Sequence, residues 1–132
     1  MIKVLFVDDD KVTQTLVKEI LSSAGYHVVT ASDPRDGFDH LRAQSFDVIL
    51  TDANIPGGFS GFAFVKTLRE NPKYDSVPIA MITGRRDTKD IQLGLECGAD
   101  DYIVKPIDPV VLVGKVESLI KKRSNTKQKK IS

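Results

Sequence analysis

Four short apolar runs along this chain each end on a chemically active residue. Val4-Leu-Phe-Val7 stops on Asp8-Asp9-Asp10, and Phe46-Asp-Val-Ile-Leu-Thr51 stops on Asp52. Ile79-Ala-Met-Ile82 stops on Thr83-Gly84, and Tyr102-Ile-Val104 stops on Lys105-Pro106. A further run, Val28-Val29-Thr30-Ala31, completes a set of strand-like segments. The runs are mostly apolar throughout rather than alternating, as strands buried on both faces are. Helical patterns fill the intervals. Residues 11–24 carry Val12, Leu16, Ile20 and Ala24 at i, i+4 spacing, one helix face, and Gly25 closes it. Ser32-Asp33-Pro34 is a helix start, a capping residue followed by a first-turn proline, and the helix presents Phe38 and Leu41. The next helix carries Phe62, Val65 and Leu68 and ends near Asn71-Pro72. Another covers about Asp87 to Cys97, closed by Gly98. Asp108-Pro109 opens the last, with Leu112, Val116, Leu119 and Ile120 facing inward.

Strand and helix thus alternate five times. Right-handed crossovers restrict such a chain to few topologies. The expected fold is α/β: a doubly wound, flavodoxin-like (βα)5 domain with a parallel sheet in the order 2-1-3-4-5. In open sheets of this kind the ligand crevice lies outside the carboxyl ends of the strands. Strands one and three are neighbours in that order, so Asp8, Asp9 and Asp52 are expected to cluster there.

Composition sets outer bounds. The chain has 132 residues, 41% hydrophobic and 28% charged, which fits one compact domain with a real core. No apolar run approaches the ~20 residues of a membrane span. Met1-Ile-Lys3 runs straight into a strand and leaves no room for a signal peptide. The single cysteine, Cys97, has no internal disulfide partner, so a reducing, cytoplasmic setting fits. Net charge is +1, but six basic and no acidic residues lie from Lys121 onward, while residues 1–120 hold 13 basic and 18 acidic residues. An acidic body therefore precedes a basic tail. The pattern dissolves after Lys122. Residues 1–122 are read as the domain, and residues 123–132 as a basic, disordered tail or linker. The tail has no aromatics and no reading element, so it is read as solvated rather than as nucleic-acid-binding.

The chemistry follows from the cluster. Two unit charges about 4 Å apart cost about 4 kcal/mol at an effective dielectric near 20, so three gathered carboxylates call for a divalent cation. Mg²⁺ fits: it prefers oxygen ligands, keeps several waters and bridges carboxylates to phosphate. A carboxylate beside it can attack a phosphoryl group, because the metal screens the approach of two anions. Lys105 would neutralise phosphoryl oxygens, the Thr83 hydroxyl would donate to one, and Gly84 leaves room for the anion. Plainer roles stand beside these. Asp10 reads as a helix cap, Tyr102 as a packing aromatic on one reading, and His27 and His40 as residues without a ligand partner.

Each motif alone is weak. In order, the acid pair, the lone Asp52, Thr83-Gly84 and Lys105-Pro106 resemble a response-regulator receiver domain, the phosphoacceptor half of two-component signalling, over about residues 2 to 122. The resemblance implies that Asp52 accepts the phosphoryl group from a histidine kinase or phosphotransfer protein. It implies Mg²⁺ bound by Asp9 directly, by Asp8 largely through water, by Asp52 and by the backbone carbonyl of Asn54. It gives Thr83 and Lys105 to the phosphoryl group, a cis bond between Lys105 and Pro106, and Tyr102 to the switch. The face of helix four, strand five and helix five would carry the change to a downstream protein or an output domain, or pair with itself. Such a domain catalyses only its own phosphorylation and dephosphorylation. One departure stands out: Pro56 to Gly61 is five positions where the family usually has four, an extra residue in the Gly57-Gly58 loop. Arg85, after Gly84, is placed to reach the phosphate or the Asn54 side chain.

Two other readings compete. Asp8-Asp9-Asp10-Lys11-Val12 also fits the nucleophile motif of haloacid-dehalogenase-like phosphatases, with Asp8 as nucleophile, Asp10 as acid/base and Asp100-Asp101 as the acidic pair. Asp52 has no role there, and no segment would cap a substrate. A receiver-shaped adaptor that works without phosphate is the third reading, against which the full set of site residues argues.

Overall fold

The computed structural model describes residues 1–55 and 59–131, with side chains described through Arg123. Pro56, Gly57 and Gly58 lie outside the described residues, and with them the extra position of that loop. Strand β1 (Lys3–Val7) is followed by helix α1 (Lys11–Ser23), β2 (His27–Ala31), α2 (Pro34–Ala43), β3 (Val48–Thr51) and α3 (Gly61–Arg69). A 3-10 turn (Pro72–Tyr74) leads to β4 (Ile79–Thr83), α4 (Thr88–Glu96), β5 (Asp101–Val104) and α5 (Pro109–Ile131). The five strands form one parallel sheet in the order β2-β1-β3-β4-β5, as the alternation predicts.

Strand alternation sorts the core into two layers. Leu5, Val7, Ile49 and Met81 pack with Leu41 of α2 and with Phe64, Val65 and Leu68 of α3. Val4, Phe6, Leu50 and Ile82 pack with Val17 and Leu21 of α1 and with Leu112, Val116 and Leu119 of α5. The starts of α1 and α2 are made as the sequence signals them, and α3 gains a cap that the sequence reading does not name. Asp10, Asp33 and Ser60 cap α1, α2 and α3, their side chains accepting from the N–H groups of Val12, Asp36 and Ala63.

The structure departs from the pattern twice. Val12 is 76% and Leu16 41% exposed, so the i, i+4 stripe chosen on α1 is not its inner face. The buried residues are Thr13, Gln14, Val17 and Leu21, a stripe that includes two polar side chains and so escapes a reading based on apolarity. At the other end, α5 continues through Ile131, past Lys122, where a disordered tail is expected. Packing of Leu112, Val116 and Leu119 supplies the costly nucleus. Each further residue then adds a backbone hydrogen bond at little cost, and Lys, Gln and Arg are good helix formers. Arg123, assigned to the tail, donates to Asp47 at 2.8 Å and to the Phe46 carbonyl at 3.4 Å. Among the described residues no helix is long and apolar enough to cross a membrane.

Candidate functional site

Register brings the predicted residues together. Val7 pairs with Thr51, so β1 and β3 end level and the next residues, Asp8 and Asp52, emerge side by side. Backbone bonds fix both: Asp8 N–H donates to the Ala31 carbonyl at 3.0 Å, and Asp52 N–H to the Val7 carbonyl at 2.9 Å. Thr83 pairs with Val104, and Lys105 N–H donates to the Thr83 carbonyl at 2.9 Å, which sets Lys105 beside the acids. One carboxylate oxygen each from Asp8, Asp9 and Asp52 lies within 4.8 Å of the others.

Lys105 bridges two of these acids, its Nζ standing 3.0 Å from Asp8 Oδ2 and 3.3 Å from Asp52 Oδ2. The remaining oxygens are also engaged: Asp10 N–H donates to Asp8 Oδ1 at 2.9 Å, and Asn54 N–H to Asp52 Oδ1 at 3.2 Å. The bond between Lys105 and Pro106 is cis. Asp8 is fully buried, and burial pushes its carboxyl above the usual value of 3.8 despite the Asp10 N–H and the Lys105 ammonium. Burial also disfavours the Lys105 ammonium, but the Asp8 and Asp52 carboxylates outweigh it and hold Lys105 above 10.5.

The donor set suits a hard divalent cation. All the gathered ligand atoms are carboxylate oxygens, and the three acids outnumber the one ammonium by two charges, which one Mg²⁺ would balance. Asp9, the exposed member, would complete the cluster from the solvent side.

Above this floor sits Arg85. Its Nε donates to Asn54 Oδ1 at 2.5 Å, its Nη1 to Asp90 at 3.2 Å, and its guanidinium lies 5.8 Å from the centre of the Phe62 ring. Its backbone is held as well. Arg85 N–H donates to the buried Thr83 hydroxyl at 3.3 Å, and its carbonyl accepts from the Tyr102 hydroxyl at 3.0 Å. Tyr102 is therefore more than a packing ring, although it also packs against the core.

Two residues gain roles that the sequence reading did not give them. Gly61 opens α3 directly on the acceptor strand: a Cβ there would come within 1.8 Å of the Asp52 carbonyl oxygen. It donates from its N–H to the Ala53 carbonyl at 3.1 Å, which ties the start of α3 to the end of β3. Gln14 is buried beneath the acid loop, its Nε2 donating to the Asp8 carbonyl at 2.5 Å. Its spacing, three and seven residues before Val17 and Leu21, places it on the buried face of α1 without announcing that bond.

Asp100 and Asp101 do not join the cluster. They stand at the amino end of β5, where Asp100 accepts from Arg69 and the Ile79 N–H at 2.9 Å each and Asp101 pairs with Lys115. The phosphatase reading thereby loses its acidic pair, and Asp10, its acid/base, is engaged as the cap of α1.

A parallel doubly wound sheet here gathers acids, a hydroxyl and a lysine at its carboxyl edge, where open α/β domains bind their ligands. The family model for the response regulator receiver domain matches residues 4–117, and the chain belongs to that family. It is 35% identical over 122 residues to the transcriptional regulatory protein AfsQ1 of Streptomyces coelicolor, covering 92% of this chain and 52% of that protein. It is 34% identical over 122 residues to the phosphate regulon transcriptional regulatory protein PhoB of Escherichia coli, covering 92% and 53%. The chain thus spans about half the length of these curated relatives. Among solved structures, the chemotaxis response regulator CheY4 of Vibrio cholerae superposes with a TM-score of 0.84 at 37% identity, covering 90% of this chain and 98% of that one. The protein is a receiver domain of two-component signalling, a family whose members take a phosphoryl group on an aspartate and bind Mg²⁺ in an acidic pocket.

Proposed function

We propose that Asp52 is the phosphoacceptor, that Asp8, Asp9, Asp52 and the Asn54 carbonyl hold Mg²⁺, and that Lys105 and Thr83 receive the phosphoryl oxygens. The observation that carries this reading is the gathering of the three acids within 4.8 Å under a lysine that bridges Asp8 and Asp52. The Asn54 N–H and the Lys105 ammonium restrain the two Asp52 oxygens, which orients the nucleophile before a donor arrives. A carboxylate oxygen of Asp52 attacks the phosphorus of a phosphohistidine or an acyl phosphate. The new O–P bond forms as the donor's N–P or O–P bond breaks, and the leaving group keeps that electron pair. When bound, Mg²⁺ supplies charge screening between the two anions. Lys105 then follows the charge from carboxylate to phosphoryl oxygen, and Thr83 exchanges its bond from Arg85 N–H for one to the phosphoryl group.

The donor we propose is a histidine kinase or phosphotransfer protein. Exposed apolar side chains surround the approach: Val12 and Leu16 on α1, and Val110, 82% exposed, with Val111 on the first turn of α5. Both helices leave the edge of the sheet that carries the acids, so a helical donor can seat its apolar face there while presenting phosphohistidine to Asp52. The face of α4, β5 and α5 passes the change to a downstream protein or to an output domain such as those of the curated relatives named as transcriptional regulators. Residues 1–122 act as the receiver and residues 123–132 as the connection.

Intact mass after treatment with acetyl phosphate and Mg²⁺ tests the assignment. Wild type is expected to gain one phosphoryl group, Asp52→Asn none, and EDTA added before the donor should prevent the gain. An adduct that persisted in Asp52→Asn would move the acceptor elsewhere. No adduct, together with no response to beryllofluoride, would leave the phosphate-independent adaptor as the better reading.

A further inference from the structure

Asp9 differs from the other acids in having no hydrogen-bond partner for its carboxylate among the described residues. Its direction is set by the backbone. The peptide joining Asp8 to Asp9 is planar, so whatever holds the Asp8 carbonyl oxygen also fixes the orientation of the Asp9 nitrogen, and with it the cone of directions open to the Asp9 side chain. One described hydrogen bond reaches that peptide group, and it comes from Gln14 Nε2 at 2.5 Å. The same nitrogen reaches the Ala31 carbonyl at 3.4 Å, which already accepts from Asp8 N–H at 3.0 Å. Both partners are carbonyl oxygens, so the amide group must present its NH₂ and not its oxygen. Gln14 itself is buried on the inner face of α1, between Val17, Leu21 and the strand ends, in a helix anchored by its Asp10 cap.

We infer that Gln14 is a positioning residue of the metal site: it locks the Asp8–Asp9 peptide from beneath and thereby aims Asp9 at the divalent cation. The inference rests on the proposed Mg²⁺ site. An apolar stripe of α1 would bury more favourably with a leucine at this place, since a buried amide needs its partners to offset desolvation. The side chain gives the packing layer no apolar contact that Met would not give. What it adds is one NH₂ group that donates to the Asp8 carbonyl of the acid loop and reaches the Ala31 carbonyl at the end of β2.

The test compares wild type, Gln14→Met, which keeps the length without the donor, and Gln14→Arg, which restores N–H donors at similar reach. Mg²⁺ is titrated into the unphosphorylated full chain, and the amide chemical shift of Asp9 is followed by NMR. Gln14→Met is expected to weaken Mg²⁺ about 10-fold, the lower end of what loss of an outer-shell partner costs a metal site. Its phosphorylation rate by acetyl phosphate at saturating Mg²⁺ is expected to stay within about twofold of wild type, a change in half-saturation and not in turnover. Gln14→Arg is expected to recover most of the affinity. A purely structural role would lower the melting temperature of Gln14→Met and leave its Mg²⁺ affinity unchanged, and that result overturns the inference while the metal site stands. No Mg²⁺-dependent shift in wild type would overturn the metal site and the inference together.

Discussion

Asp8 shows what the acid cluster costs the fold. Burial raises its pKa above 3.8, so its charge is held in the native state against a desolvation penalty that the Lys105 contact does not fully cancel. A carboxyl whose folded pKa is raised takes up its proton before the unfolded chain does. The penalty is therefore present in full above the folded pKa and disappears as pH falls through it toward 3.8. Without metal, Asp8→Asn is expected to be more stable than wild type at neutral pH, with the gap closing on acidification. Urea midpoints in EDTA across a pH series measure it, and a gap that did not change with pH would remove buried charge as the cause. Excess Mg²⁺ should also narrow the gap, because the substitution removes part of the binding that stabilises the wild-type fold. The carboxylates were legible in the sequence because each follows an apolar run. Gln14 was hidden for the converse reason: its contribution is a bond to two backbone carbonyls, and no spacing of residue types announces such a bond.

Among the described glycines, Gly61 at the start of α3 is the most closely enclosed. Gly61 leaves no space for a side chain against the Asp52 carbonyl. Gly61→Ala is expected to cost about 1–3 kcal/mol of stability, the usual range for overpacking, readable as a lower urea midpoint. Because the displaced atoms are the backbone of Asp52 itself, slower phosphorylation should accompany it. A variant as stable as wild type would show that α3 can shift away without consequence. Strands are readable to within two residues, since burial on both faces makes them apolar throughout: the runs Phe46–Thr51 and Ile79–Ile82 correspond to strands Val48–Thr51 and Ile79–Thr83. The α1 face was not readable. Its outward stripe, Val12 and Leu16, is apolar, and its inward stripe includes Thr13 and Gln14, so apolarity pointed to the wrong side. Both anomalies lie where α1 borders the site: the inner residues hold the acid loop, and the outer ones belong to the face proposed to receive the phosphoryl donor. The helical extension of α5 is not legible for another reason, that helix propagation beyond a packed nucleus needs no apolar face.

For the molecule as a whole, the resting state is tied together through one residue. Thr83 holds the Arg85 N–H and Tyr102 holds the Arg85 carbonyl, so the loop between β4 and α4 links the site to the surface of β5. On the proposed phosphorylation, the Thr83 hydroxyl would turn to a phosphoryl oxygen and give up Arg85, and the acceptor that keeps the Tyr102 hydroxyl in place would no longer be fixed. In the proposed switch two conformations would exchange as populations, and a ratio moved from 1:99 to 99:1 needs about 5.5 kcal/mol of differential binding. The Tyr102 bond belongs to the resting side of that balance, where a neutral hydrogen bond contributes about 0.5–1.5 kcal/mol. Tyr102→Phe removes it while keeping the ring against Gly94 and the core. The resting state should then lose roughly that much, and the switched state should be about 2- to 10-fold easier to reach. A phosphoryl mimic reports this directly, since its apparent affinity scales with the fraction of competent protein. Beryllofluoride with Mg²⁺ is thus expected to bind Tyr102→Phe more tightly than wild type by that factor, followed by titration of an α4 amide resonance. Unchanged affinity would mean that the hydroxyl carries no share of the resting lock, and that Thr83, Asn54 and Asp90 suffice to keep Arg85 in place.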